Sequence, residues 1–366
     1  MLEVADIVRL HGPAYLAEFG ASLPATHTRA LRDIAACRTP HFGGHVYQCA
    51  HCGELRYAYH SCRNRHCPKC HGDQTARWLE QQRARLLPCG YFMVTFTLPA
   101  SLRPLARGHP KIIYGLLMRT AAAALQTLAA DSRYLGAQIG CLAVLHTWTR
   151  AMLYHPHVHL LVTAGGLSDD ATSWITPKRP AFLVPVRALS KIFRAKMCAA
   201  LNKAGLLEHA PPSVWKIPWV VHAQPAGRGQ QVLDYLGRYL FRVAISNSRL
   251  EAFHHGNVTF RYRDNRTHLL RRVTLTGAEF LRRFLHHVLP RGFAKVRYYG
   301  LWSPSRRQQL DLARALMEQS LPLASADPRS PPDAPTPPDS SLPRCPLCGF
   351  GALVVIEVLR PQRGPP

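Results

Sequence analysis

The chemistry of this chain is announced by its sulfur and imidazole. Cys49-Ala-His-Cys52 and Cys67-Pro-Lys-Cys70 are two CxxC knuckles separated by residues 53–66. Each can present two thiolates to one ion, and four soft ligands close the tetrahedron of a structural zinc site. Cys49, Cys52, Cys67 and Cys70 are therefore expected to hold Zn²⁺. Cys37, Cys62 and His66 lie close enough in sequence to complete an alternative or second site. Cys345-Pro-Leu-Cys348 is a lone knuckle with no sequence neighbour to pair with, and could be half of another site. A zinc enclosed by four sulfurs has no open position, so such a site positions other groups and performs no reaction itself.

A different pattern follows in His155-Pro-His157-Val-His159-Leu-Leu-Val. Alternation along a strand sends His157 and His159 to one face and Val158, Leu160 and Val162 to the other. Two neutral imidazoles on one face can hold a divalent cation with positions left open for a phosphate oxygen. A hairpin centred near residue 152 is expected to set His146 opposite Val158, beside both ligands, as a third donor; His155 is the alternative. Further along, Tyr235-Leu-Gly-Arg-Tyr239 has helical i,i+4 spacing, which stacks two phenols on one face. A phenol is a nucleophile only if its proton is removed and its target is polarised, and the phosphotyrosine it forms conserves the bond for rejoining.

Positioning these groups requires more than one domain. Residues 1–36 read as helical, 37–88 as the zinc-binding stretch, and 89–302 as a mixture of strands and helices large enough to bury its own core. Strands are expected at Tyr91–Leu98, Gly140–Trp148 and His157–Thr163, and helices at Ile112–Ala130, Val186–Ala204 and Val232–Val243. A helical extension (303–321), a Pro-rich disordered linker (322–344) and a tail carrying Cys345 and Cys348 (345–366) complete the chain.

Lys and Arg number 46 against 21 Asp and Glu, a formal charge of +25. The excess lies along folded-looking segments, which predicts a polyanionic partner and argues against an amphipathic membrane anchor. Nucleic acid fits best. Arg63, Arg65 and Lys69 around the second knuckle, and Arg238, Arg242 and Arg249 near the tyrosines, are candidate phosphate contacts. Tyr262, Tyr298 and Tyr299 could stack on unpaired bases. No uninterrupted apolar run reaches the roughly 18 residues of a spanning helix, so no membrane association and a cytoplasmic, nucleoid-associated location are expected. Eleven cysteines without a secretory leader point to metal and not to disulfides.

The order of knuckles, HxH strand and YxxxY helix resembles the HUH-type rolling-circle transposases of the insertion-sequence-ninety-one group. The matching stretches are SCRNRHCPKC (61–70), LHTWTRAMLYHPHVHLLVTAGG (145–166), YLGRYLFRVAISNSRL (235–250), VTFRYRD (258–264) and EFLRRFLHHVLPRGFAKVRYYG (279–300). The resemblance implies an α+β protein: an N-terminal zinc-binding domain, then a catalytic domain whose central antiparallel sheet is flanked by helices. It implies His157 and His159 as ligands of Mg²⁺ or Mn²⁺ and Tyr235 and Tyr239 as nucleophiles. The expected activity is cleavage and rejoining of single-stranded DNA at element ends and target through a 5′-phosphotyrosine, with an oligomer possible. A plasmid replication initiator or relaxase would share this chemistry, whereas a zinc-dependent DNA-binding regulator without catalysis leaves the HxH and YxxxY patterns unexplained.

Overall fold

A computed structural model describes residues 2–70, 78–83, 85–237, 243–264, 267–320 and 343–362. The chain divides into two compact units, one built from residues 1–70 and 322–366 and the other from 71–321. The first is therefore discontinuous in sequence. Residues 322–342 of the expected linker (322–344) lie outside the described residues.

In the first unit, helices α1 (Val4–Phe19) and α2 (Ala25–Ala35) account for the helical N-terminus. Glu3 and Asp6 form a capping box at the start of α1, with the Glu3 amide donating to Asp6 Oδ2 at 2.9 Å. Val4, Ile7 and Val8 of α1 and Leu31 and Ile34 of α2 are buried. Strands β1 (Gly44–Cys49) and β2 (Leu55–Tyr59) form an antiparallel hairpin. The free edge of β1 is taken by the C-terminal strand Leu353–Leu359, which runs antiparallel to it with Cys49 opposite Leu353. The strand-like tail is thus part of the N-terminal module.

The second unit is organised by a five-stranded antiparallel sheet. Its strands are β3 (Gly90–Thr97), β4 (Gly140–Trp148), β5 (Tyr154–Thr163), β6 (Val221–Arg228) and a last strand, Val296–Gly300. Their order across the sheet is Val296–Gly300, β4, β5, β3, β6. Strand alternation divides the sheet's side chains between two cores. Phe92, Val94, Phe96, Ala143, Leu145, Val158, Leu160 and Val162 face helices α3 (Pro110–Ala129) and α4 (Val186–Lys203). Tyr91, Met93, Leu142, Val144 and Leu161 face the opposite way, against Val232, Leu236, Trp302, Ala313 and Met317. By length and composition α3 could cross a membrane, yet 72% of its apolar window is buried here, as befits a core helix between sheet and solvent.

Helix α5 (Gly229–Tyr235) follows edge strand β6 directly. It starts three residues before the predicted Val232, and residues 238–242 of the expected helix lie outside the described residues. A separate three-stranded meander, residues 250–276, carries the arginine-rich segment. Arg261 stands opposite Arg272 across it, a repulsive pairing that Glu251 relieves with contacts of 3.9 and 2.6 Å to the two guanidiniums.

Candidate metal centres

The register of β5 decides the site. Because Leu161 lies on the face occupied by Val232 and Leu236, His157 and His159 share that face by strand alternation. On β4 the same parity joins His146 to Val144 and Leu142. His146, His157 and His159 bring one ring nitrogen each within 4.8 Å of one another. Their ring centroids are 4.8 Å apart for the pairs 146–159 and 157–159, and 5.4 Å for 146–157.

His146 stands opposite His157 and not opposite Val158, which faces Leu145. The expected register was one residue out, and the difference matters: directly opposed residues share a face, so a residue across from Val158 would have pointed into the α3 core. An irregularity between His146 and Trp148 absorbs the shift. The turn beyond it holds buried Met152 at φ 58°, a conformation that no simple pattern announces for this residue. Trp148 lies over the His146 ring at 4.7 Å and 21°, fixing the plane of this third imidazole.

Hydrogen bonds orient the other two. The His155 carbonyl lies 2.7 Å from His157 Nδ1, so that nitrogen donates and Nε2 keeps its lone pair. Thr95 Oγ1, on neighbouring strand β3, lies 2.9 Å from His159 Nδ1. Burial, and next the neighbouring His159, push His157 down to about 3; burial pushes His159 down to about 4. Both rings are accordingly neutral near pH 7, the form that binds a cation. His155, the alternative third donor, is not among the three: its ring lies 5.3 Å from that of His157, but its Nδ1 accepts from Arg103 at 2.7 Å. Thr95 was not anticipated. Alternation within YFMVTFTL does set it apart from Phe96, but nothing in the sequence pairs it with His159.

Tyr235 closes α5, and the description of its side chain, like the whole of Tyr239, Arg238 and Arg242, lies outside the described residues. What is described is the helix around it. Val232 and the following Leu236 are buried on the sheet face that carries the three histidines.

The cysteines assemble differently from the sequence expectation. Cys67 and Cys70 converge with Cys37 and Cys62, whereas Cys49 and Cys52 meet Cys345 and Cys348. The four sulfurs expected on one ion are split between two clusters, because the C-terminal strand brings its own knuckle to β1. In the first cluster, Cys70 Sγ lies 3.4 Å from Cys37 Sγ and 3.5 Å from Cys62 Sγ. Sulfurs around a tetrahedral zinc, with Zn–S about 2.3 Å, are about 3.8 Å apart, so the set has the dimensions of a zinc site. Thiol donation from Cys62 and then Cys67 holds Cys37 down at about 2, while the same crowding pushes Cys67 up to about 12. Four such thiols cannot all ionise without a cation between them, and Zn²⁺ supplies that charge. His66 is not among the four; its amide bonds to Asn64 Oδ1 at 3.0 Å within the loop between Cys62 and Cys67.

The basic residues have varied surroundings. Lys69 pairs with Glu3 at 2.5 Å. Arg63 adopts φ 52°, and burial lowers the pKa of the Arg65 guanidinium. Arg249 donates to the carbonyls of Arg261 (2.9 Å), Ala244 (3.3 Å) and Arg150, and lies over the Phe260 ring. Tyr298 donates to Gln82 Oε1 at 3.0 Å beneath the Arg85 guanidinium.

Comparison with known proteins finds two family matches along the chain. Residues 7–98 match the family described as "Transposase zinc-binding domain", and residues 140–309, which contain all three histidines and α5, match the family described as "Putative transposase". The chain is 43% identical to "Putative transposase y4qJ" of Sinorhizobium fredii, over all of this chain and 97% of the relative. It is 30% identical to the transposase for insertion sequence element IS801 of Pseudomonas savastanoi pv. phaseolicola, over 78% of this chain and 72% of the relative. No solved structure matches the chain significantly. An identity that runs the whole of this chain and nearly the whole of one relative, with the zinc cluster ahead of the histidine sheet, places the protein in a family: it belongs to the HUH-type transposases of the insertion-sequence-ninety-one group, which carry an N-terminal zinc-binding domain.

Proposed function

We propose that this transposase cleaves and rejoins single-stranded DNA at the histidine face of its central sheet, with Tyr235 or Tyr239 as nucleophile and His146, His157 and His159 as ligands of the catalytic ion. The reading is carried by one observation: three imidazoles lie within 4.8 Å on the face where Val232 and Leu236, either side of Tyr235, are buried.

A divalent ion bound to the three rings would neutralise and polarise the scissile phosphate. The all-nitrogen donor set suits Mn²⁺ better than Mg²⁺, whose preference is for oxygen. The protein's own contribution is preorganisation. His155 and Thr95 fix two ring orientations, Trp148 a third, and burial keeps His157 and His159 unprotonated, with their lone pairs intact near neutral pH. In the transfer, a tyrosine oxygen forms a bond to phosphorus as the bond from phosphorus to the 3′ oxygen breaks. The phenolic proton leaves, the 3′ oxygen gains one, and the 5′ phosphate stays on the enzyme. Reversal by another strand's 3′-hydroxyl rejoins DNA without hydrolysis.

Two tyrosines would let one chain hold two cleaved ends in turn, as rolling-circle transposition needs. The formal charge of +25 and the arginine-rich meander supply a surface for the displaced strand. The enzyme acts in this reading on element ends and target within the bacterial nucleoid, alone or as an oligomer.

The test uses purified protein, Mn²⁺ and single-stranded DNA from the element's ends. A covalent adduct on the fragment bearing the 5′ phosphate is expected, lost in the Y235F/Y239F double variant and in EDTA. An adduct formed equally well by the double variant would remove the tyrosines from the mechanism, and one unaffected by EDTA would remove the ion.

A further inference from the structure

We propose that Cys49, Cys52, Cys345 and Cys348 form a second zinc site, separate from the Cys37, Cys62, Cys67 and Cys70 site, which fastens the C-terminal strand onto the N-terminal hairpin. The family match that assigns a zinc-binding domain covers residues 7–98 and so includes only half of these ligands.

The geometry is that of a closed S₄ tetrahedron. Cys49 Sγ lies 3.7 Å from Cys348 Sγ, Cys52 Sγ lies 3.9 Å from Cys345 Sγ, and all four fall within 4.8 Å of one another. These separations match the sulfur spacing of about 3.8 Å around zinc and are far beyond the roughly 2.05 Å of a disulfide.

The two halves are built alike. Each is CxxCG, and the terminal glycines Gly53 and Gly349 have φ of 75° and 74°, a left-handed turn that favours glycine. The Gly53 amide donates to the Cys49 carbonyl at 3.0 Å and the Gly349 amide to the Cys345 carbonyl at 2.8 Å. The His51 and Cys52 amides point at Cys49 Sγ from 3.4 and 3.5 Å, and the Gly351 amide at Cys348 Sγ from 3.5 Å. Amides aimed at sulfur favour thiolate, the ligating form. Gly351 passes so close to Cys49 Sγ and His51 that a Cβ there would overlap both.

The packing shows why a cation is needed. The core at this junction consists of Cys49, Cys345 and Leu353, with Tyr47 and Cys348 beside it. Val354, Val355, Ile356 and Val358 of the strand are 44–64% exposed. So small a core cannot by itself offset the entropy of bringing together segments 293 residues apart, whereas a metal can close such a loop.

The experiment is native mass spectrometry of the full chain, with zinc quantified in parallel by elemental analysis. Two zinc ions per chain are expected, one remaining in the C345S/C348S variant and one in the C62S/C67S variant. Limited proteolysis should cut the C-terminal segment free in C345S/C348S while residues 1–70 stay protected. A wild-type chain that binds a single zinc, or a C345S/C348S variant that keeps two, would overturn the proposal. If a variant fails to fold, stepwise release of wild-type zinc by a mercurial decides: two ions released support the site, and one refutes it.

Discussion

Thr95 and His159 face one another across β3 and β5, with the hydroxyl 2.9 Å from the imidazole Nδ1. With Nδ1 engaged by the hydroxyl, Nε2 is the nitrogen that would face the proposed ion. Replacing Thr95 by Val keeps the shape and removes the bond, and loss of such an orienting partner weakens metal binding by about 10–100-fold. Calorimetric Mn²⁺ titration checks it; an affinity within twofold of wild type would show that the ring needs no such support.

The third donor can be separated from its neighbour by comparing two alanine variants. His146→Ala should lower Mn²⁺ affinity at least as far as Thr95→Val. His155→Ala should leave it nearly unchanged, since Arg103 already occupies His155 Nδ1. The reverse ranking would exchange their roles.

Acid should loosen the second unit before it touches any carboxylate. Buried His157, His159 and His287 are pushed down to about 3, 4 and 3, chiefly by burial. Their ordinary value is 6.5, so above it they are neutral in both folded and unfolded chains. As pH falls through that value the unfolded chain takes up protons and the folded one does not. Each histidine then contributes a loss of about 1.4 kcal/mol per pH unit until the folded value is approached. Urea midpoints in EDTA-treated protein between pH 6.5 and 4.5 measure the slope. His287→Gln, away from the ion, should reduce it by one histidine's share; an unchanged slope would contradict the assignment.

Arg249 was expected to hold phosphate, and its three carbonyl contacts describe a strut between the 244–250 segment, the meander and the turn after β4. Arg249→Ala should therefore cost about 2–3 kcal/mol of stability. The salt slope of single-stranded DNA binding should stay as it was, because no phosphate contact is lost. A reduced slope with unaltered thermal midpoint would restore the DNA role.

Removing a single sulfur from the Cys37 cluster should be as damaging as removing zinc. Cys67→Ser should release that ion and expose residues 1–70 to protease, with Mn²⁺ binding by the histidines preserved. Parallel zinc, proteolysis and Mn²⁺ measurements test both halves of that statement.

Local periodicity made much of this legible. Gly140–Trp148 is a strand at the expected bounds, Tyr91–Leu98 is displaced by one residue at each end, and Val186–Ala204 is shorter by one residue at its C-terminal end. The face shared by His157 and His159 follows from alternation alone. Pairing was harder to read. Whether Cys49 joins Cys67 or Cys345 depends on which distant strand completes β1, and both choices satisfy the same local spacing. The partner of His146 depended on an irregularity that the sequence does not advertise. Thr95 became meaningful only once β3 had a neighbour in a known register.

The discontinuous first unit imposes an order on synthesis. While the chain is on the ribosome, β1 has only β2 beside it, and its other edge stays unsatisfied until the segment around Leu353 emerges, after the whole histidine sheet has been made. Copies of the gene cut short by a late frameshift would thus leave an open strand edge and two stranded thiols, inviting aggregation or degradation.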